Sequence, residues 1–338
     1  MISTVIKRML LILLLTFTLF IIAFFLLLEK QMQLPLPLSQ VQLLTVDKGS
    51  SVNSFAKKLV KQGWLENRFW LRAYARLYPD KVKIKAGTYQ IPLNTSLQSL
   101  LTLLSSGKEY QFQLTFVEGT SFQQWLAQLK QQPKLAQTLS SLTLAQIAQR
   151  LDIKQANPEG WFFPETYAFT QGTVDFQLLK RAHAKMKTAL HELWQQRATN
   201  LPYKTPYQAL IMASIIEKET SYLPEQGLIA SVFINRLAKK MRLQTDPTVI
   251  YGLGERYKGD ITRAHLREKT LYNTYRINGL PPTPIAMPSL SALKAALNPA
   301  SSDYYYFVSA GNGKHAFSKT LTEHNAAVRR FLALSRNK

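Results

Sequence analysis

Leu210-Ile211-Met212-Ala213-Ser214-Ile215-Ile216-Glu217-Lys218-Glu219-Thr220 brings a carboxylate to the end of an apolar run. In a helix, Glu217 shares one face with Ala213 and Leu210, and that face is apolar. Glu219 is turned about 200° away and points elsewhere. A carboxyl leaving an apolar face is partly desolvated, and desolvation penalises its charged form and raises its pKa. Such a glutamate can stay protonated near neutrality and serve as a general acid. A surface glutamate that closes a buried helix and pairs with Lys218 fits the same spacing. Spacing alone leaves both readings open.

Other chemistries lack their parts. There is no cysteine, so thiolate nucleophiles, disulfides and cysteine-bound zinc are excluded. His191-Glu192-Leu193-Trp194 begins like a zinc-binding H-E-x-x-H helix, but Gln195 stands where the second histidine belongs. Gly252-Leu253-Gly254 carries no dinucleotide fingerprint, and Ser214 has no G-x-S-x-G setting. Asp246 before Pro247 reads as a helix cap rather than as a second catalytic acid. No cofactor and no metal is expected.

These residues must be carried by folded elements in some compartment, and the first segment points to which. Residues 9–28 are apolar except for Thr16 and Thr18. About 20 such residues, rising ~1.5 Å each, cross the ~30 Å hydrocarbon layer. The run ends in Leu28-Glu29-Lys30 without a small-residue cleavage site, so an anchor is expected rather than a cleaved signal. Lys7 and Arg8 before the span keep residues 1–8 cytoplasmic and put the remainder outside. The formal net charge is +22. On an exported body this charge suits an acidic lipid surface or an acidic wall polymer, and nucleic acid is not an expected partner.

Residues 29–40, with Pro35 and Pro37, read as an extended linker. A repeat follows. Val46-Asp47-Lys48-Gly49-Ser50-Ser51 leads into a helix with Phe55 and Leu59; Val117-Glu118-Gly119-Thr120-Ser121 leads into one with Trp125 and Leu129. Each copy is strand, glycine turn, hydroxyl cap and helix. Between them lie a helix over about 67–78, a strand 87–91 and a helix 96–104. The pattern resembles LysM, a small module that binds N-acetylglucosamine polymers; ordinary strand-turn-helix packing explains it equally well. Residues 131–157 read as helical, and helices are expected over about 175–197, 206–220 and 225–240. Asp246-Pro247 starts a short helix, 279–288 is a proline-rich loop, and Ser289 caps a helix. A hairpin turns at Gly311-Asn312-Gly313, and Thr322 caps a last helix. Trp161 and Tyr167 read as core aromatics.

Ala213-Ser214-Ile215-Ile216-Glu217-Lys218-Glu219-Thr220 resembles the signature of the YceG-like family of endolytic murein transglycosylases. The resemblance continues through Ala230-Ser231-Val232-Phe233-Ile234-Asn235-Arg236-Leu237. It continues through Met241-Arg242-Leu243-Gln244-Thr245-Asp246-Pro247-Thr248-Val249-Ile250-Tyr251-Gly252, and through Tyr272-Asn273-Thr274-Tyr275 and Gly279-Leu280-Pro281-Pro282. Glu159-Gly160-Trp161 and Pro164-Glu165-Thr166-Tyr167 precede these in the family's order, and Pro282-Thr283-Pro284-Ile285 departs from its pattern in detail.

The resemblance implies an α+β chain in three parts: a transmembrane helix (9–28), a small LysM-like domain (41–130) and a mostly helical catalytic domain with a small β element (131–338). It implies a lyase in which Glu217 protonates the leaving oxygen of a MurNAc–GlcNAc bond. The same carboxylate then takes the proton of the MurNAc 6-hydroxyl as that hydroxyl attacks the anomeric carbon, giving a 1,6-anhydro end. Gln244, Thr245, Tyr251, Tyr272, Asn273 and Tyr275 are the expected glycan contacts. The expected setting is the periplasmic side of the cytoplasmic membrane, with peptidoglycan strands as substrate and peptidoglycan synthases as neighbours. A peptidoglycan-binding scaffold and a water-adding muramidase are the alternatives.

Overall fold

The computed structural model describes residues 2–311 and 313–336. The chain forms two compact units. One comprises the chain up to Phe112 together with Ala168–Gln171; the other comprises Gln113–Tyr167 and the chain from Gly172 onward.

The first unit opens with helix α1 (Ile2–Gln33), whose stretch Thr4–Gln33 is long enough to cross a membrane and contains an 18-residue window with a mean hydropathy of 3.1. Strand β1 (Gln42–Val46), helices α2 (Val52–Lys61) and α3 (Phe69–Leu77), strand β2 (Gly87–Ile91) and helix α4 (Leu97–Ser106) follow. β1 and β2 pair antiparallel, with Gln42 opposite Ile91 and Val46 opposite Gly87. Alternation buries Leu44, Val46, Tyr89 and Ile91 on one side. Ser51 and Ser96 cap α2 and α4, each accepting from the amide three residues on.

The expected extended linker is not there. α1 continues to Gln33, and Leu28, Met32 and Leu36 are buried in the core of this unit. Leu28 and Met32 lie one helical turn apart and so face the same way. After the helix ends, the Leu36 amide donates to the Thr95 carbonyl at 2.9 Å. Prolines 35 and 37 thus sit in a docked segment, not a tether.

The chain leaves this unit within β3 (Phe112–Thr115). Helices α5 (Phe122–Lys130) and α6 (Leu144–Arg150), strand β4 (Thr166–Phe169), and helices α7 (Asp175–Gln195), α8 (Pro206–Glu219), α9 (Leu223–Ala238), α10 (Asp246–Leu253), α11 (Arg263–Arg267) and α12 (Leu290–Leu297) come next. The hairpin β5 (Tyr306–Ser309) and β6 (His315–Ser318) and helix α13 (Leu321–Arg336) complete the chain. α8 is the centre of the second unit. Every residue from 209 to 216 is buried, and α7, α9, α10 and α12 pack around it. A helix buried on all sides has to be apolar nearly all round, as residues 209–216 are apart from Ser214.

The repeat forms locally in both copies, yet the copies belong to different units. The units part at Phe112/Gln113, whereas the repeat put the boundary after Lys130. Residues 131–157 are mostly turns, with only α6 helical. The buried Asp175 carboxylate takes the amides of Thr138 and Leu139, the Thr138 hydroxyl and the Phe176 amide, which holds the chain out of a helix there. The last helix is capped by Thr320, which accepts from the Glu323 amide, rather than by Thr322. Asn312 of the expected hairpin turn lies outside the described residues.

Asp175→Ala should destabilise the second unit by about 3 kcal/mol, because buried donors lose a charged acceptor. Asp175→Asn, which keeps one acceptor oxygen, should cost less. Urea unfolding followed by near-ultraviolet circular dichroism measures both.

Candidate active site

α8 ends where its buried face meets two pieces of chain. Thr205 caps its start, Pro206 occupies its first turn, and Glu217 lies in its last. Glu217 is half-buried. One of its oxygens, Oε2, accepts from the Ser289 amide at 2.9 Å and from the Ser289 hydroxyl. Ser289 is also the N-cap of α12, its hydroxyl accepting from the Ala292 amide. The carboxylate therefore sits at the positive end of a helix. Burial raises the Glu217 pKa, the two Ser289 bonds oppose the rise, and Glu118 adds to it.

The opposite wall is the turn of the second repeat copy. Gly119 has φ +70°, and a side chain built there would lie 3.7 Å from Glu217 Cγ. The Gly119 amide donates to the Met287 carbonyl, the Met287 amide donates to the Thr120 carbonyl, and Lys218 Nζ donates to the Gly119 carbonyl. The proline-rich loop is thus an inner strut. Its Ile285 amide donates to the buried Ser214 hydroxyl, and Pro284 packs so closely on Gly160 that a side chain at 160 would meet it at 2.5 Å. Ser214, in the signature yet no nucleophile, fastens this loop.

Glu219 does point elsewhere, into a cavity of about 320 Å³ also lined by Gln244, Thr245, Asp246 and Tyr275. The Thr245 hydroxyl donates to Glu219, and burial pushes the Glu219 carboxyl up to about 7, with the nearby Asp246 charge adding to the rise. Tyr275 donates to Asp246 at 2.7 Å. That bond corrects the cap reading of Asp246: Thr245 holds the cap position of α10, and the Asp246 carboxylate turns to the tyrosine. Gln244 has φ +53°, a left-handed conformation uncommon for a residue with a side chain. Arg236 holds it there, donating to the Arg242 and Leu243 carbonyls and to the Gln244 side chain.

Of the expected glycan contacts, Gln244, Thr245 and Tyr275 thus gather around Glu219. Tyr251 and Tyr272 form a second group, rings 4.9 Å apart. Tyr251 donates to the buried Glu159, which also accepts from the Phe122 amide, and burial pushes Glu159 up to about 7. The Tyr272 hydroxyl bonds that of Thr283. Asn273 is buried with its amide bonded to the carbonyls of His265, Leu266 and Glu268, so it shapes the loop between the two tyrosines. Tyr167 is a core aromatic as expected, while Trp161 is half-buried and stacks on Tyr207.

Sequence reasoning missed Ser289 as a partner of Glu217, Gly119 as its wall, and Glu159 and Arg236 as buried organisers. Ser289 left the signal of a helix cap directly after a proline-rich loop, Gly119 that of the repeat's turn, and Glu159 and Arg236 lie in the motif stretches, which named them without their roles. No cluster of metal-ligating side chains occurs among the described residues.

The chain is thus a long apolar N-terminal helix, a small α+β unit, and a helical unit with buried carboxyls whose pKa values are raised. The chain belongs to the YceG-like family, whose model matches residues 44–330. It is 32% identical over 312 residues to the endolytic murein transglycosylase of Bacillus subtilis, covering 87% of this chain and 86% of that protein. It is 26% identical to the enzyme of that name from Streptococcus pneumoniae, covering 84% of this chain and 57% of the relative. A crystal structure of a YceG-like protein from Listeria monocytogenes matches with a TM-score of 0.54 at 32% identity, over 85% of this chain and 99% of that one.

Glu159 and Glu219 both hold protons in the folded state up to about pH 7, well above an unfolded glutamate. Between about pH 4.5 and 7 the folded chain binds more protons than the unfolded one, so their effect is to lower stability as pH rises through that window. For Glu159 the loss is up to ~3 kcal/mol. Unfolding midpoints should be higher at pH 5 than at pH 8 on this account. Glu159→Gln and Glu219→Gln should each flatten the slope.

Proposed function

We propose that this chain is a membrane-anchored endolytic murein transglycosylase, with Glu217 as its acid and base. The names of its relatives support the reaction. The observation that supports the residue is the Glu217 carboxyl: half desolvated, oriented by Ser289 through one oxygen, and raised in pKa. Protonated, it gives its proton to the glycosidic oxygen between MurNAc and GlcNAc. The carboxylate left behind takes the proton of the MurNAc 6-hydroxyl while that oxygen closes onto the anomeric carbon. The C–O bond to the leaving sugar breaks, a 1,6-anhydro ring forms, and no water is consumed. Gln244, Thr245, Tyr251, Tyr272 and Tyr275 are the proposed glycan contacts, with Asn273 positioning the tyrosines. The first unit is the proposed second grip on the glycan, a reading supported by its glycine turn at Gly49 and Ser51-capped α2.

One observation favours a second reading, in which Glu219 is the acid: its cavity is lined by three of those contacts. Digestion of purified sacculi, with fragments identified by mass spectrometry, separates the readings. Anhydro ends mean a transglycosylase, reducing ends a muramidase, and no release a scaffold. Glu217→Gln should lower anhydro-product formation by ~10²–10⁴-fold while folding is retained. Glu219→Gln and Asp246→Asn should cost much less. Near-normal turnover in Glu217→Gln together with loss in Glu219→Gln would transfer the role to Glu219.

The pH profile supplies a further check. Glu217 must be protonated to donate, so activity should fall as pH rises through its pKa. Ser289→Ala removes a bond to the charged form, which raises that pKa. The alkaline limb of kcat/KM should therefore move to higher pH, at a stability cost of ~1 kcal/mol for the lost cap.

The anchor reading places Lys7 and Arg8 inside and both units outside. A C-terminal alkaline phosphatase fusion should be active, and the mature chain should retain residues 9–28.

A further inference from the structure

We propose that α3 lies in the headgroup layer of the same bilayer that α1 crosses, so that the first unit is docked on the membrane surface. The inference rests on the anchor reading of α1. It starts from where α1 stops being exposed. From residue 4 to 23 every side chain is exposed; Phe24 is the first half-buried one, and Leu28 and Met32 are in the core. An apolar span that begins at Met9 reaches ~30 Å at about the level of Leu28. The unit therefore closes around α1 at the depth where hydrocarbon gives way to headgroups, with no flexible tether between.

At that level four aromatic rings meet. Phe24 lies 5.7 Å from Phe25, 6.5 Å from Phe69 and 6.2 Å from Trp70, and Phe69 and Trp70 are 5.0 Å apart. Phe69 is 57% exposed, although it belongs to the folded unit rather than to the span. Trp gathers at membrane interfaces, and Trp and Phe together form the apolar face of helices that lie in them.

The rest of α3 fits the same plane. Leu71 and Tyr74 face the core, while Arg72 and Arg76 share the outward face with Phe69, and Arg68 precedes it. All three arginines are exposed, and none has an acidic partner among the described residues. An outward face of aromatic and arginine suits an interfacial helix, and the planar guanidinium fork matches phosphate oxygens. The partner is therefore a bilayer containing anionic phospholipid.

The chain has no cysteine, so a single label can be placed at will. The full chain is reconstituted into vesicles of phosphatidylcholine with phosphatidylglycerol, carrying spin-labelled lipids that quench a fluorophore at shallow or deep positions. Leu15→Cys reports the anchor and Phe69→Cys reports α3. The expected result is deep quenching at position 15 and shallow quenching at 69. Changing Arg68, Arg72 and Arg76 together to Glu should abolish the signal at 69 and leave that at 15 intact. Quenching at 15 without quenching at 69 overturns the docking and leaves the anchor standing. No quenching at either overturns both. Shallow quenching at 69 that is unchanged by the arginine substitutions, or equal in pure phosphatidylcholine, overturns the anionic-headgroup contact.

Discussion

Taking a carboxylate out of water is unfavourable unless something replaces the water, and the second unit does this for several glutamates at once. Glu159, Glu217 and Glu219 each have a raised pKa with burial as the first cause. Each is met by donors from a different part of the chain: Phe122 and Tyr251 for Glu159, Ser289 for Glu217, Thr245 for Glu219. Those donors lie in α5, α10, the cap of α12 and the loop before α10. The site is the set of places where these elements stop at α8 or its surroundings. The apolar packing of α8, at ~1.5–3 kcal/mol for each fully buried large side chain, supports that arrangement.

The glycine turn of the second repeat copy shows how local rules serve this end. Gly119 and Ser121 make the same turn and cap as Gly49 and Ser51, with a full capping box between Ser121 and Gln124. Turn chemistry depends only on neighbours in sequence, so both copies were legible from it. What the turn meets depends on packing, and that of the second copy lies beside Glu217. The same division runs through the chain. The cap at Ser289 and strand 87–91 were readable because they follow from residue type and short spacing. Apart from the two-residue shift of the last cap to Thr320, the failures were long-range. Asp175 claims amides 36 and 37 residues away and so keeps residues 131–143 out of a helix. Leu36 is buried by partners its proline-rich setting did not suggest. Asp246 gives up a cap for Tyr275, 29 residues on.

Buried arginine plays the reverse part to buried glutamate. Arg236 spreads its donors over the carbonyls of Tyr305, Arg242 and Leu243 and the amide oxygen of Gln244. Left-handed backbone at a residue with a side chain costs roughly 1–2 kcal/mol, and such a conformation persists where its surroundings fix it. Here the fixing agent is on α9, which also holds the hairpin through Glu225 and His315 at 2.8 Å. The motif stretch of α9 therefore shapes the cavity around Glu219, and its Arg236 is part of the wall.

The contrast between Glu217 and Glu219 bears on which can run a full proton cycle. A group that donates and then accepts the same proton needs its charged form tolerated as well as its neutral one. Glu217 has both supports. Burial favours the neutral acid, while two bonds from Ser289, the start of α12 and the charge of Lys218 favour the carboxylate. Both bonds fall on Oε2, so one oxygen orients the group, and Oε1 has no hydrogen bond among the described residues. Glu219 has a single neutral donor, and the charge of Asp246 beside it disfavours ionisation. It is suited to holding a proton and donating a hydrogen bond into the cavity. Glu217 is suited to giving a proton away and recovering it, which is what a reaction that consumes no water requires of one carboxyl.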